Sequence, residues 1–183
     1  MLRIACGIVA AALVAGLSVA AQDKTVMVGG AAMYPSKDII DNAVNSKDHT
    51  TLVAAVKAAG LVDTLKTKGP FTVFAPTNAA FDKLPKGTVN MLLKPESQNT
   101  LKTVLTYHVV AGSMDSMALI QQAKSNGGSV ELPTVSGGKL WAIANGNTLT
   151  LRDEKQASAH ITIPDVYQSN GVIHVIDAVL MPR

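Results

Sequence analysis

The stretch Gly69–Phe81, G-P-F-T-V-F-A-P-T-N-A-A-F, compresses a strand, a corner and a helix start into thirteen residues. Gly69-Pro70 is a turn pair, and Phe71-Thr72-Val73-Phe74-Ala75 is a β-favouring run. Pro76 ends that run because it has no amide to donate to a ladder. Thr77 and Asn78 both carry side chains that accept from the free amides of a helix start. Either one caps the helix that Ala79-Ala80-Phe81 opens.

Upstream of this corner the apolar spacing is helical. Ser36 is a candidate cap for a helix carrying Ile39, Ile40, Ala43 and Val44. Asp48 or Thr50 starts a second helix, with Leu52, Val53, Val56 and Ala59 inward and Gly60 as a left-handed stop. Leu61, Val62 and Leu65 make a third apolar turn. Downstream, Thr88 heads a short helix. Pro95 and Glu96 open another that runs to Thr106. Tyr107–Val110 is aromatic and β-branched and reads as a strand. Asp115 or Ser116 caps a helix through Met117, Leu119 and Ile120.

The tail is β. Ser129–Leu132, Lys139–Ala144, Thr148–Leu151 and Ala159–Ile163 are short strand candidates, and Asn145-Gly146 joins two of them as a hairpin. Val172–Leu180 reads as one long strand, apolar on both faces apart from His174 and Asp177, and so covered on both sides. The order of elements defines an α+β chain, a helical layer followed by a β-rich half.

Three segments carry a family resemblance. Phe71–Phe81 resembles the first signature box of the fasciclin domain, F-T-V-F-A-P-T-(D/N)-x-A-F. Asn170–Pro182, N-G-V-I-H-V-I-D-A-V-L-M-P, resembles its second box, and Tyr107-His108-Val109-Val110 its central Tyr-His element. The matches fall in order between Met33 and Pro182. The resemblance implies a fasciclin-like β-sandwich with helices packed along one edge. It also implies an extracellular adhesion or interaction module with no catalysis and no cofactor. Phe71, Phe74, Pro76, Thr77, Phe81, Tyr107, His108, Gly171, His174 and Asp177 become structural motif residues. Asn78 stands where Asp is also common, so a charged contact there is lost while a cap is kept.

Met1–Ala21 has the pattern of a signal peptide: Arg3, an apolar run Ile4–Leu17, and small residues that allow cleavage after Ala21. Retention as a membrane anchor is the rival, disfavoured because the run is shorter than the ~20 residues of a spanning helix. Gln22–Ala32 reads as a flexible segment and 33–183 as one domain. The only cysteine, Cys6, lies in the leader, so disulfides and thiolate chemistry are excluded from the rest. A net charge of +3, scattered along the chain, gives no nucleic-acid footprint. The expected product is a secreted or periplasmic monomer, without stable membrane insertion after cleavage.

Chemistry-bearing residues are sparse. His49, His108, His160 and His174 form no H-x-H or H-x-x-x-H pair, so no metal site is expected. His49 is read as exposed at a helix start, and His108 and His174 as core imidazoles that donate one hydrogen bond and accept another. His174 and Asp177, three apart on a strand, face opposite ways. Asp153-Glu154 reads as a solvated corner. Pro164-Asp165-Val166 resembles the Asp-Ile-type element that some animal fasciclin domains present to integrins. Asp165, Val166 and Tyr167 are therefore the candidate partner-binding residues, with a local turn-bonding Asp165 as the bland reading. Trp141 either packs in its strand or forms an exposed aromatic contact. The expected partner is a cell-surface or matrix protein or a polysaccharide. A small apolar ligand held between the layers is the alternative, and it calls for a cavity over roughly 300 Å³.

Overall fold

The computed structural model describes residues 25–183; the leader reading falls outside that range. Order begins earlier than Met33. β1 (Val26–Val28) and β2 (Ala31–Met33) form a hairpin across Gly29-Gly30, with Val26 opposite Met33, and bury Val28 and Met33. The expected flexible segment is therefore structured from Thr25 onward, because those two apolar side chains reach the core.

The helical layer follows: α1 (Ile39–Ala43), α2 (Thr50–Ala58) and α3 (Val62–Lys66). Asp38, not Ser36, caps α1, accepting from the Asp41 amide at 2.8 Å. β3 (Phe71–Pro76) stops at Pro76, and Thr77 caps α4 (Asn78–Asp82) by accepting from the Ala80 amide. α5 (Thr88–Leu92) and α6 (Gln98–Tyr107) come next. Tyr107 closes α6 and His108 is its C-cap, so the strand expected at Tyr107 begins only at Val109 as β4 (Val109–Ala111).

α7 (Ser116–Ser125), capped by Asp115, leads into β5 (Ser129–Pro133), β6 (Lys139–Asn145), β7 (Thr148–Arg152), β8 (Ser158–Gln168) and β9 (Gly171–Ile176). The expected long strand to Leu180 ends at Ile176. Asp177 and Ala178 bend away, and the segment beyond is held by side chains rather than by a ladder.

Seven strands form one sheet in the order β4-β3-β9-β8-β7-β6-β5, with β3 and β9 parallel and every other pair antiparallel. The α+β class stands. The β half is a single sheet curled toward a barrel, not two clearly separate stacked sheets. Its far edges meet where Val110 bridges Thr134 and the Val135 amide donates to the Val109 carbonyl at 2.8 Å. The reason lies in β8, whose eleven residues shift register against β9 twice. Such bulges bend a strand and strengthen its twist, so one strand serves both halves.

β3 and β9 are covered on both faces, as their composition requires. Val73, Ala75, Ile173 and Val175 pack under α1, α2, α3 and α6. Phe74 and Ile176 face the inside of the curled sheet, where α7 lays Leu119 and Ile120. The two strands approach so closely at their start that a Cβ on Gly171 would collide with the Phe71 carbonyl. Gly171 is thus required by backbone proximity and not by a left-handed backbone conformation. Gly171→Ala is expected to cost about 3 kcal/mol, an overpacking penalty against backbone, read as a lower urea midpoint.

Candidate interaction surface

The candidate residues Asp165, Val166 and Tyr167 lie where β8 bulges. Asp165 has a φ of 58°, in the left-handed region that few residues other than glycine enter. Its carboxylate turns toward the start of α7: Oδ1 accepts from the Ser116 amide at 2.6 Å and Oδ2 from the Ser116 hydroxyl at 2.5 Å. Its amide donates to His174 Nδ1 at 3.3 Å. Val166 is only 1% exposed and belongs to the core under the helical layer, so it presents nothing to a partner. Tyr167 points outward, 47% exposed, with its hydroxyl 3.5 Å from Asp115. Partial burial, then the Asp165 and Asp115 carboxylates, push that hydroxyl's pKa up.

Tyr167 forms part of the wall of an open depression of about 620 Å³, together with Ser113, Lys66, Lys68 and the Gly69-Pro70 turn. Its floor is pinned. Asn170 donates to the Leu65 and Thr67 carbonyls at 2.7 and 3.1 Å and accepts from the Ile39 amide at 3.1 Å. This one side chain ties the β8–β9 turn to α1 and to the end of α3.

The histidines are tied into the fold. His108 Nδ1 bonds the Val104 carbonyl at 2.6 Å, which makes it the protonated nitrogen, and Nε2 accepts from the Leu180 amide at 3.0 Å. Burial lowers its pKa to about 4. His174 uses the opposite tautomer: Nε2 donates to the Met114 carbonyl at 2.9 Å and Nδ1 accepts from Asp165. Burial lowers its pKa as well, and its ring stacks on Phe74 with centroids 5.7 Å apart.

His49 is buried, not exposed. Its Nδ1 meets Ser46 Oγ at 2.9 Å, and its Nε2 lacks a hydrogen-bond partner among the described residues. The 3₁₀ turn Lys47–His49 rolls it inward beneath β3. Asp177 is drawn elsewhere than His174, accepting from the His160 amide at 2.7 Å and pairing with Lys83 at 3.4 Å. These contacts outweigh burial and hold its carboxyl below the usual range.

The remaining motif residues are structural in placement. Phe74 and Tyr107 are fully buried, Phe71 is half-buried, and Phe81 seats α4 in a small cluster with Val104 and Val179. The Tyr107 hydroxyl donates to the Lys139 carbonyl at 2.6 Å and accepts from the Glu154 amide at 3.2 Å. Burial raises its pKa to about 12.

Asp153 departs from expectation. It is no solvated corner but fully buried, with Oδ1 accepting from the Lys155 and Ala157 amides at 2.9 and 2.8 Å and Oδ2 from the Met181 amide at 2.9 Å. A buried carboxylate had one signal in the sequence, the short polar linker between two strands. Its third bond, to the tail, had none.

Two further features bound the chemistry. The apolar space between the helical layer and β3, lined by Ile39, Leu52, Val56, Leu65, Val73 and Leu105, amounts to about 70 Å³. That is far below the ~300 Å³ at which small-molecule sites begin, so the layers pack against each other. Among the described residues no group of three or more His, Asp or Glu is placed to hold a metal, and no helix is long and apolar enough to cross a membrane.

A single curled sheet with a helical layer, carrying its imidazoles as internal struts, matches the fasciclin domain, whose family model covers residues 47–182. The chain belongs to the fasciclin domain family. It is 43% identical over 162 residues to Protein sll1483 of Synechocystis, covering 87% of this chain and 82% of that one. It is 35% identical over 160 residues to the cell surface glycolipoprotein MPB83 of Mycobacterium bovis, covering 85% and 64%. Its fold is also that of a solved FAS1 domain pair from the insect cell adhesion molecule fasciclin I. The TM-score is 0.72 at 20% identity, over 81% of this chain and 52% of that chain. The chain thus spans about half of that pair.

Proposed function

We propose that the protein is a secreted or periplasmic interaction module, a monomer that contacts a cell-surface or matrix protein or a polysaccharide through the Tyr167 depression. One observation carries this reading. The imidazoles and carboxylates grouped around the Asp165 bulge are spent on internal hydrogen bonds, while Tyr167 stands exposed at an open cleft whose floor Asn170 pins. An exposed tyrosine beside an open depression is a typical contact anchor, amphipathic and with few rotatable bonds. Compartment follows from the Met1–Ala21 leader pattern, and N-terminal sequencing of the exported chain tests cleavage after Ala21. The similarity to a cell surface glycolipoprotein of Mycobacterium bovis supports the same compartment.

Retention of the purified chain on extracytoplasmic surface fractions tests the contact. Tyr167→Ala is expected to weaken retention about tenfold with unchanged thermal stability. Asp165→Asn, which keeps an acceptor for the Ser116 amide and offers its NH2 to the Ser116 hydroxyl oxygen, reports whether the charge itself contributes. Retention of Tyr167→Ala at the wild-type level would remove the cleft from the contact.

A further inference from the structure

The outer face of β5, β6 and β7 carries the single tryptophan of the chain in an unusual setting. The inward residues Leu140 and Ala142 are fully buried, so Trp141 and Ile143 face outward, both half-buried. β6 is paired on both sides, with Trp141 opposite Glu131 on β5 and opposite Arg152 on β7. Two open depressions flank the indole. One, about 170 Å³, is lined with Trp141 by Ser129, Arg152 and Gln156. The other, about 240 Å³, is lined with Trp141 by Lys139, Glu154, Gln156 and Arg183. Neither shares a residue with the Tyr167 depression.

The charges on this face differ in availability. Lys139 pairs with Glu131 at 2.9 Å, and Arg183 bonds the Glu154 carbonyl. The Glu154 carboxylate is occupied by the Lys139 and Arg183 amides. The Arg152 guanidinium, exposed and beside the indole, bonds to nothing among the described residues. Gln156 borders both depressions. It stands at φ 66°, a conformation that costs on the order of 1 kcal/mol or more and persists only where neighbours impose it. The buried Asp153 carboxylate imposes it by gripping the amides on either side, Lys155 and Ala157.

We infer that this face binds an acidic polysaccharide of uronate type, one sugar stacking on Trp141 while Arg152 takes its carboxylate and Gln156 hydrogen-bonds its hydroxyls. An indole offers an apolar plate to the apolar face of a pyranose. A guanidinium takes a carboxylate through two parallel hydrogen bonds. Each depression is smaller than the ~300 Å³ of an engulfing site and both are open, so they suit successive units of a chain lying across the sheet. A peptide fits less well, because β6 has no free edge for strand addition. One free cation beside one aromatic is too little for a nucleic acid.

Trp141, as the sole tryptophan, reports directly. The full chain is titrated with a galacturonate hexasaccharide at low ionic strength, following tryptophan fluorescence and calorimetric heat. A saturable signal is expected, weakening with salt. It should weaken about tenfold for Arg152→Gln and for the methyl-esterified hexasaccharide. Trp141→Leu should abolish the heat while circular dichroism stays unchanged; if that variant unfolds, Arg152→Gln and the esterified ligand decide alone.

Tyr167→Ala should bind the hexasaccharide as the wild type does, which separates this site from the contact proposed above. No saturable signal, equal affinity of the esterified ligand or of Arg152→Gln, or equal binding of hexaglutamate would each overturn the inference.

Discussion

Acidification from about pH 7 to about pH 4 is expected to remove on the order of 3 kcal/mol of stability through His108 alone. The folded-state pKa of His108 lies at about 4, against 6.5 for the free side chain. Between those values the unfolded chain binds the proton and the folded chain does not, so stability falls as pH falls. The contribution is complete above about pH 6.5 and exhausted below about pH 4.

The structural cause is specific. A protonated His108 turns its Nε2 into a donor facing the Leu180 amide, and the tail loses an anchor. Asp153 acts the other way, its charge favouring the protonated ring, but burial dominates. His174 and His49 are lowered for the same reason and add in the same direction. Against a typical total of roughly 5–15 kcal/mol this is a large loss. Urea midpoints measured across the range should decline steadily from neutral pH and flatten near the folded pKa. Midpoints independent of pH over that window would refute the assignment of neutral, bonded imidazoles.

The second large effect is expected at Asp153. Asp153→Ala removes the acceptor for three backbone amides, those of Lys155, Ala157 and Met181, in a site with no solvent exposure. Leaving a buried donor unsatisfied costs roughly 1–3 kcal/mol each. Local relaxation recovers part of this, so a net loss of about 4 kcal/mol is expected, a fall in melting temperature of about 10 °C for a domain of this size. Asp153→Asn keeps one acceptor oxygen for the turn but turns a donor toward Met181, and should fall between. A loss under about 1 kcal/mol for the alanine variant would mean that water replaces the carboxylate, contrary to its burial.

The two effects share a place. Leu180 and Met181 are consecutive, and one is held by the imidazole of His108, the other by the carboxylate of Asp153. β9 ends at Ile176, so no ladder carries the tail further. Its residues are fastened by two buried polar groups, one at the C-cap of α6 and one in the β7–β8 turn. The same Asp153 also sets the turn that presents Gln156 beside Trp141, so the stability device and the proposed sugar-binding face rest on one carboxylate.

What the sequence by itself determined is whatever depends on neighbours a few residues away. Pro76 ends β3 because it lacks a donor, a helix starts at once after it because Thr77 and Asn78 both offer a cap, and Asn145-Gly146 turns β6 into β7; only the structure chose Thr77 over Asn78. The apolar run of β9 announced a strand covered on both faces, and the signature boxes carried the fold class. Tertiary structure alone decided which polar groups are interior and which apolar ones are surface. His49 is buried because a 3₁₀ turn rolls it under β3. Asp153 is buried because the tail arrives to use it, and Val166 is core because a bulge in β8 reverses the expected side. Closure of the sheet at Val110 and Thr134, and the free Arg152 beside Trp141, likewise join residues distant in the chain. Their pairing is set by how strands bend and stack, which no local propensity encodes.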